Sequence, residues 1–161
     1  MPGRERKSRI EITLIYVAVF LVFLLDQASK YFVMALIEQG QSVPVIKNLL
    51  HITLVYNTGA AFGMLKAQPR LFVIIAILAI ILINYILLRR SFNLNIMEKV
   101  ALCFILAGTL GNLADRLRLG YVVDFIDLRI WPVFNLADSF IAIGAVILAW
   151  SLFLGARRKN A

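Results

Sequence analysis

The sequence predicts a membrane protein of the all-α class with four transmembrane helices, and three observations carry the prediction. Of its 161 residues, 61% are hydrophobic and 16% charged, a balance too apolar for an ordinary water-soluble domain. Four apolar runs, at about 10–37, 71–88, 96–115 and 133–154, each approach the roughly 20 residues needed to cross hydrocarbon. The basic residues cluster at the ends of these runs and not along an aromatic-bearing face. The net charge of +8 therefore points to membrane orientation, and no nucleic-acid partner is expected. One integral membrane domain over 1–161 is the simplest organisation.

The first span opens with "RERKSRIEITLIYVAVFLVFLL", which imitates a secretory signal peptide. Its apolar stretch is long and "LLDQASKYF" lacks a small-x-small cleavage site, so the span is expected to be retained. Arg4, Arg6, Lys7 and Arg9 precede it, Arg89, Arg90 and Lys99 lie between the second and third spans, and Arg157, Arg158 and Lys159 follow the fourth. In a four-span chain all of these fall on one side. The positive-inside rule makes that side cytoplasmic, with both termini inside and the connections at about 38–70 and 116–132 outside.

The first outer connection contains "VPVIKNLLHITLVYNTGAAFGML", whose β-branched, partly alternating residues predict a short strand or two resting at the membrane surface. Within it, "NTGAAFG" is either a plain turn or a small-residue surface that an extended peptide could approach closely. The second span has no acidic or basic residue between Leu71 and Leu88 and is expected to be a packing wall. In the third span Cys103, the only cysteine, is expected to pack in the core or against lipid. Ala107, Gly108 and Gly111 would let a neighbouring helix come close. Asn112, Asp115 and Arg116 share one helix face by their spacing, as part of a polar site or as a cap with a salt bridge.

The fourth span, "VFNLADSFIAIGAVILAW", carries one carboxylate, Asp138, about five residues in, or roughly 8 Å at helical rise. A charge in hydrocarbon is costly and usually faces a cavity or a partner. All five aspartates fall on the outer side of the expected topology. Asp26 has Lys30 at i+4, Asp115 has Arg116 and Arg118 nearby, and Asp127 has Arg129. Asp124 and Asp138 have no Lys or Arg within four positions and are the candidates for a reactive pair. Two adjacent carboxylates share a proton, so one can act as base and the other as acid on a water attacking a peptide carbonyl. Structural or ion-binding roles stay open for the same residues, including a four-span proton or cation transporter. There is no HExxH and His51 is the sole histidine, so zinc hydrolysis and histidine-assisted serine attack lack parts and no metal or cofactor is expected. His51 itself is expected to be an exposed or structural strand residue.

Five blocks in order, "DQASK" (26–30), "NTGAAFG" (57–63), "GNLADR" (111–116), "VVDFID" (122–127) and "FNLADSFI" (134–141), resemble the lipoprotein signal peptidases, or signal peptidase II. The resemblance spans most of the chain. It implies a bacterial inner-membrane aspartic endopeptidase, functional as a monomer among membrane lipids. Its substrate would be a diacylglyceryl-modified prolipoprotein, cut before the lipid-modified cysteine. It implies a small extracytoplasmic β-sheet cradle and a mobile short surface helix, which suit the segment from about 43 to 68. It places the catalytic dyad on Asp124 and Asp138 at the outer, periplasmic side, and supporting or substrate-binding roles on Asp26, Lys30, Asn57, Gly59, Asn112, Asp115, Arg116 and Asn135. Ala107 departs from the glycine common in the family, a small-for-small change.

Overall fold

The computed structural model describes residues 2–59, 69–89 and 93–159. In chain order the elements are α1 (Pro2–Leu36), β1 (Ser42–Ile46), β2 (Leu50–Asn57), α2 (Pro69–Leu88), α3 (Ile96–Leu119), β3 (Val122–Asp127) and α4 (Leu136–Lys159). All four helices are long and apolar enough to cross a membrane, as the hydropathy pattern predicts. The surface helix implied by the resemblance does not appear in residues 43–59. The remainder of that segment, 60–68, lies outside the described residues.

Helix α3 is the centre of the bundle. Half of its apolar window is buried, against 17% or less in the other three, and it packs against α1, α2 and α4 in turn. Small residues make the α3–α4 contact close, and they do so reciprocally. A Cβ on Gly108 of α3 would strike the carbonyl oxygen of Ala137, and one on Gly144 of α4 would lie 2.7 Å from the carbonyl oxygen of Ala101. Leu102, Cys103, Leu106 and Ala107 fill the interior with Val19, Val22 and Ile83. Side chains such as Phe20, Ile74, Ile81 and Val146 stay exposed for lipid.

The helix ends that flank β3 differ from the expected span limits. Helix α3 runs on to Leu119 and stops where Gly120 turns left-handed (φ 83°), its N–H closing on the Arg116 carbonyl. Helix α4 begins at Leu136 and not near 133, because Phe134 forms an antiparallel bridge with Ile126 and Asn135 serves as the cap.

The sheet has the order β1-β2-β3, antiparallel throughout. The short strands expected in the first outer connection are β1 and β2, which pair as a hairpin turned at Asn48 (φ 63°). Strand β3 was not expected: "VVDFID" is buried on both faces and so lacks the alternation that marks a half-exposed strand. It pairs with β2 so that Val55 faces Asp124 and His51 faces Asp127. His51 is buried as a strand residue, with Nδ1 unpartnered.

Candidate active site

Asp138 is the third residue of α4, not a mid-span charge. The Asn135 side-chain oxygen accepts the Asp138 N–H at 2.9 Å, and the Asp138 carboxylate accepts the Asn135 N–H at 3.4 Å. This reciprocal cap places the carboxylate at the positive end of the helix dipole, which lowers the cost of a charge there. Asp138 therefore lies two residues from the start of its helix, and not about five residues into a helical run as expected from the sequence.

Asp124 lies in the middle of β3, nearly fully buried. Asn135 donates to one of its oxygens at 2.6 Å and Asn57 to the other at 2.8 Å. Burial pushes the Asp124 carboxyl up to about 7; the charge of Asp138 pushes the same way, against the amides of Asn57 and Asn135 and the Lys30 ammonium.

Three asparagines have their amide orientation set by groups that can only donate. The oxygen of Asn57 accepts the Gly59 N–H at 2.9 Å, that of Asn135 the Asp138 N–H, and that of Asn112 the Lys30 ammonium at 3.1 Å. Each NH₂ is thereby turned to the two aspartates, with Asn112 donating to Asp138 at 2.7 Å. Asn135 also donates to the Asn112 oxygen at 3.1 Å, so the network is continuous.

Beneath it lies a fully buried ionic cluster. The Lys30 ammonium meets Asp26 at 2.9 Å, Asp115 at 2.8 Å and Asn112, one acceptor for each of its three protons. The second oxygen of Asp26 accepts the Ala137 N–H at 2.9 Å, and Asp115 accepts the Val123 N–H at 3.1 Å. Gln27 spans the two acids, within 3.1 Å of Asp26 and 3.0 Å of Asp115. A Cβ on Gly111 would collide with the Asp26 carboxylate, so the cluster depends on that glycine.

Asp124 and Asp138 line one cavity of about 590 Å³, together with Asn57, Gly59, Asn112 and Arg116. Val133, Ile141 and Ala142 add an apolar wall. Asp26, Lys30 and Asp115 have no exposed surface and Asn135 none either, so these four support the site from behind. Arg116 does not pair with Asp115 as its spacing suggested. It donates weakly to the Asn112 carbonyl at 3.4 Å and lies over the Phe72 ring, 5.2 Å from its centroid. Among the described residues no group of three or more His, Cys, Asp or Glu is placed to hold a metal ion.

A model of the signal peptidase (SPase) II family matches residues 18–154. A lipoprotein signal peptidase of Halothermothrix orenii is 47% identical over 137 residues, 84% of this chain and 92% of that relative. One of Moorella thermoacetica is 46% identical over 144 residues, 87% and 93% of the two chains. Among solved structures, a bacterial membrane enzyme determined by the in meso method superposes with a TM-score of 0.85 at 34% identity, over 91% of this chain and 92% of that one. The chain belongs to the signal peptidase II family.

As a signal peptidase II it is an aspartic endopeptidase of lipoprotein processing, with its spans in the inner membrane, and the transporter alternative falls away. Sequence reasoning missed three contributors to this site. Gln27 sits inside a quoted motif, yet nothing local marks an amide that will bridge two acids 89 residues apart. The backbone N–H groups of Val123 and Ala137 carry no residue-type signal at all. The neutraliser of Asp115 is Lys30, from another helix, and not Arg116 or Arg118.

Proposed function

We propose that Asp124 and Asp138 form the catalytic dyad and hydrolyse the peptide bond before the lipid-modified cysteine of a diacylglyceryl-prolipoprotein. The observation that carries this reading is Asn135, whose side chain donates to Asp124 at 2.6 Å while its main chain and side-chain oxygen hold the first turn of Asp138. Two carboxylates so linked in one cavity share a proton. The ionised one takes a proton from water as the water oxygen attacks the scissile carbonyl. The protonated one gives its proton to the carbonyl oxygen, and the amine leaves after receiving a proton from the pair.

Asn57, Asn112 and Arg116 would hold the peptide backbone and the polar lipid linkage, while the wall of Val133, Ile141 and Ala142 accepts acyl chain. Asp26, Lys30, Asp115 and Asn135 keep the dyad in place. The basic residues at the far ends of the spans support cytoplasmic termini and a dyad at the periplasmic face, where a lipid-anchored cleavage site is presented. One copy of the chain supplies every residue in this scheme, consistent with a functional monomer.

The test incubates purified Asp124→Asn and Asp138→Asn proteins with a lipidated and an unlipidated precursor. Wild type should cut only the lipidated form, and both variants should fold yet lose at least a thousandfold in rate, on the scale of removing a proton-transfer group. Near-normal turnover by either variant removes that residue from the dyad.

A further inference from the structure

The loop joining β3 to α4 is most apolar where it is most exposed. Ile130 is 90% exposed and Trp131 56%, and at the same end of the sheet Ile46 and Leu49 of the β1–β2 hairpin are also exposed. Large hydrophobic side chains left this exposed mark a surface with a partner.

The backbone is strained to hold this tip out. Arg129 adopts φ 65°, and the Ile130 N–H closes on the Leu128 carbonyl at 2.8 Å, a tight three-residue turn with a left-handed central residue that bulky side chains disfavour. Four contacts hold it. Asp127 accepts the Arg129 N–H at 2.9 Å and the Thr53 hydroxyl at 2.8 Å; the Arg129 guanidinium lies 3.5 Å from Asp127 and donates to Ser42 at 3.1 Å. The loop base is clamped by the Ile126–Phe134 bridge, two residues before the spanning helix α4 begins, and Trp131 lines the active-site cavity. The tip therefore stands at the cavity mouth, beside the end of a membrane-crossing segment whose outward face is exposed at Ile143 and Val146.

A partly exposed guanidinium, a bare aliphatic side chain and an indole on three consecutive residues match the layers of a lipid boundary: phosphate, hydrocarbon and the amphipathic zone between. We propose that Arg129, Ile130 and Trp131 form a wedge that inserts into the phospholipid bilayer at the cavity mouth, continuous with the lipid-facing side of α4. The insertion does not depend on catalysis. Its use, drawing a lipid-anchored chain sideways into the cavity, rests on the peptidase function proposed above.

Trp131 and Trp150 are the only tryptophans, so the full-length Trp150→Phe protein reports on the tip alone. It is reconstituted without substrate in phosphatidylethanolamine–phosphatidylglycerol vesicles carrying bromine high or low on the acyl chains. Insertion gives blue-shifted emission, strong quenching by the high-bromine lipid and little by aqueous iodide. Emission open to iodide, or a blue shift that bromolipid fails to quench, overturns the proposal. So does protection that appears only with added lipidated precursor, which would make the substrate the occupant, or that rises with protein-to-lipid ratio, which would make it a second copy. The same readings in an Asp124→Asn background separate failure of the wedge from failure of the dyad. With insertion present, Ile130→Asn should raise KM for a vesicle-embedded precursor about three- to tenfold with kcat within about twofold. An unchanged KM overturns the capture role.

Discussion

The carboxylate of Asp26 holds the backbone N–H of Ala137, one residue before Asp138, and Asp115 holds that of Val123, one residue before Asp124. Each proposed catalytic acid thus rides on a main-chain group pinned by a buried acid, and Lys30 joins the two pins. Removing the cation should be felt twice. Lys30→Met leaves two buried carboxylates without a counter-charge, at a cost of about 3–5 kcal/mol, and removes one of the two donors that hold the Asn112 oxygen away from Asp138. Thermal unfolding in detergent should fall steeply, with a partial return in Lys30→Met/Asp26→Asn, where one charge is removed with its partner. A single variant as stable as wild type would contradict this account of the cluster.

Asn135 has two separable jobs, as cap of α4 and as donor to Asp124. Asn135→Ser keeps a good capping oxygen but has no amide to reach the aspartate, so stability should change by about 1 kcal/mol or less. The rate should fall by about two orders of magnitude, as for loss of one preorganised donor, with KM little altered. Steady-state kinetics beside a melting curve decides it, because a rate that merely follows stability would leave Asn135 as a cap alone.

The raised carboxyl of Asp124 has a defined pH signature. Its folded value is about 7, against about 3.9 for an unfolded aspartate, so the folded state binds the proton more tightly. The stabilisation this gives is complete below about pH 4 and is lost as pH rises through about 7. Activity that needs one shared proton should therefore show an alkaline limb near 7, falling about tenfold per pH unit beyond it. Asp124→Asn should flatten the decline of melting temperature over the same range. A kcat/KM profile level to pH 9 would be incompatible with a dyad of this kind.

How much of this was written locally in the chain follows from the range of each interaction. The four spans were legible because hydrocarbon demands long apolar runs, and Asp124 and Asp138 stood out because a neutralising cation within a helical turn is a local property. The structure brings those two to one cavity. The partners that matter most are distant: Lys30 reaches Asp115 and Asn112 across helices, and Asn57 meets Asp124 through a strand pairing that β3's two-sided burial concealed. The start of α4 was hidden for a related reason. Val133 and Phe134 extend its apolar run, yet the backbone of Phe134 belongs to the bridge with Ile126, and only the Asn135 cap marks the true boundary.

Phe72 connects the second span to the cavity through Arg116. The guanidinium lies 5.2 Å from the ring centroid, within reach of a cation–π attraction worth about 0.5–2 kcal/mol in a partly desolvated setting. Its hydrogen bond to the Asn112 carbonyl is long, 3.4 Å, so the ring face is a principal restraint on where this cation points. Phe72→Leu keeps an apolar side chain and removes the quadrupole, and should raise KM for the lipidated precursor about fivefold, the equivalent of about 1 kcal/mol, with kcat within about twofold. Phe72→Trp, which presents a stronger π face, should restore or improve binding. If the leucine and tryptophan proteins bind alike, the ring acts only as packing and Arg116 is positioned by other means.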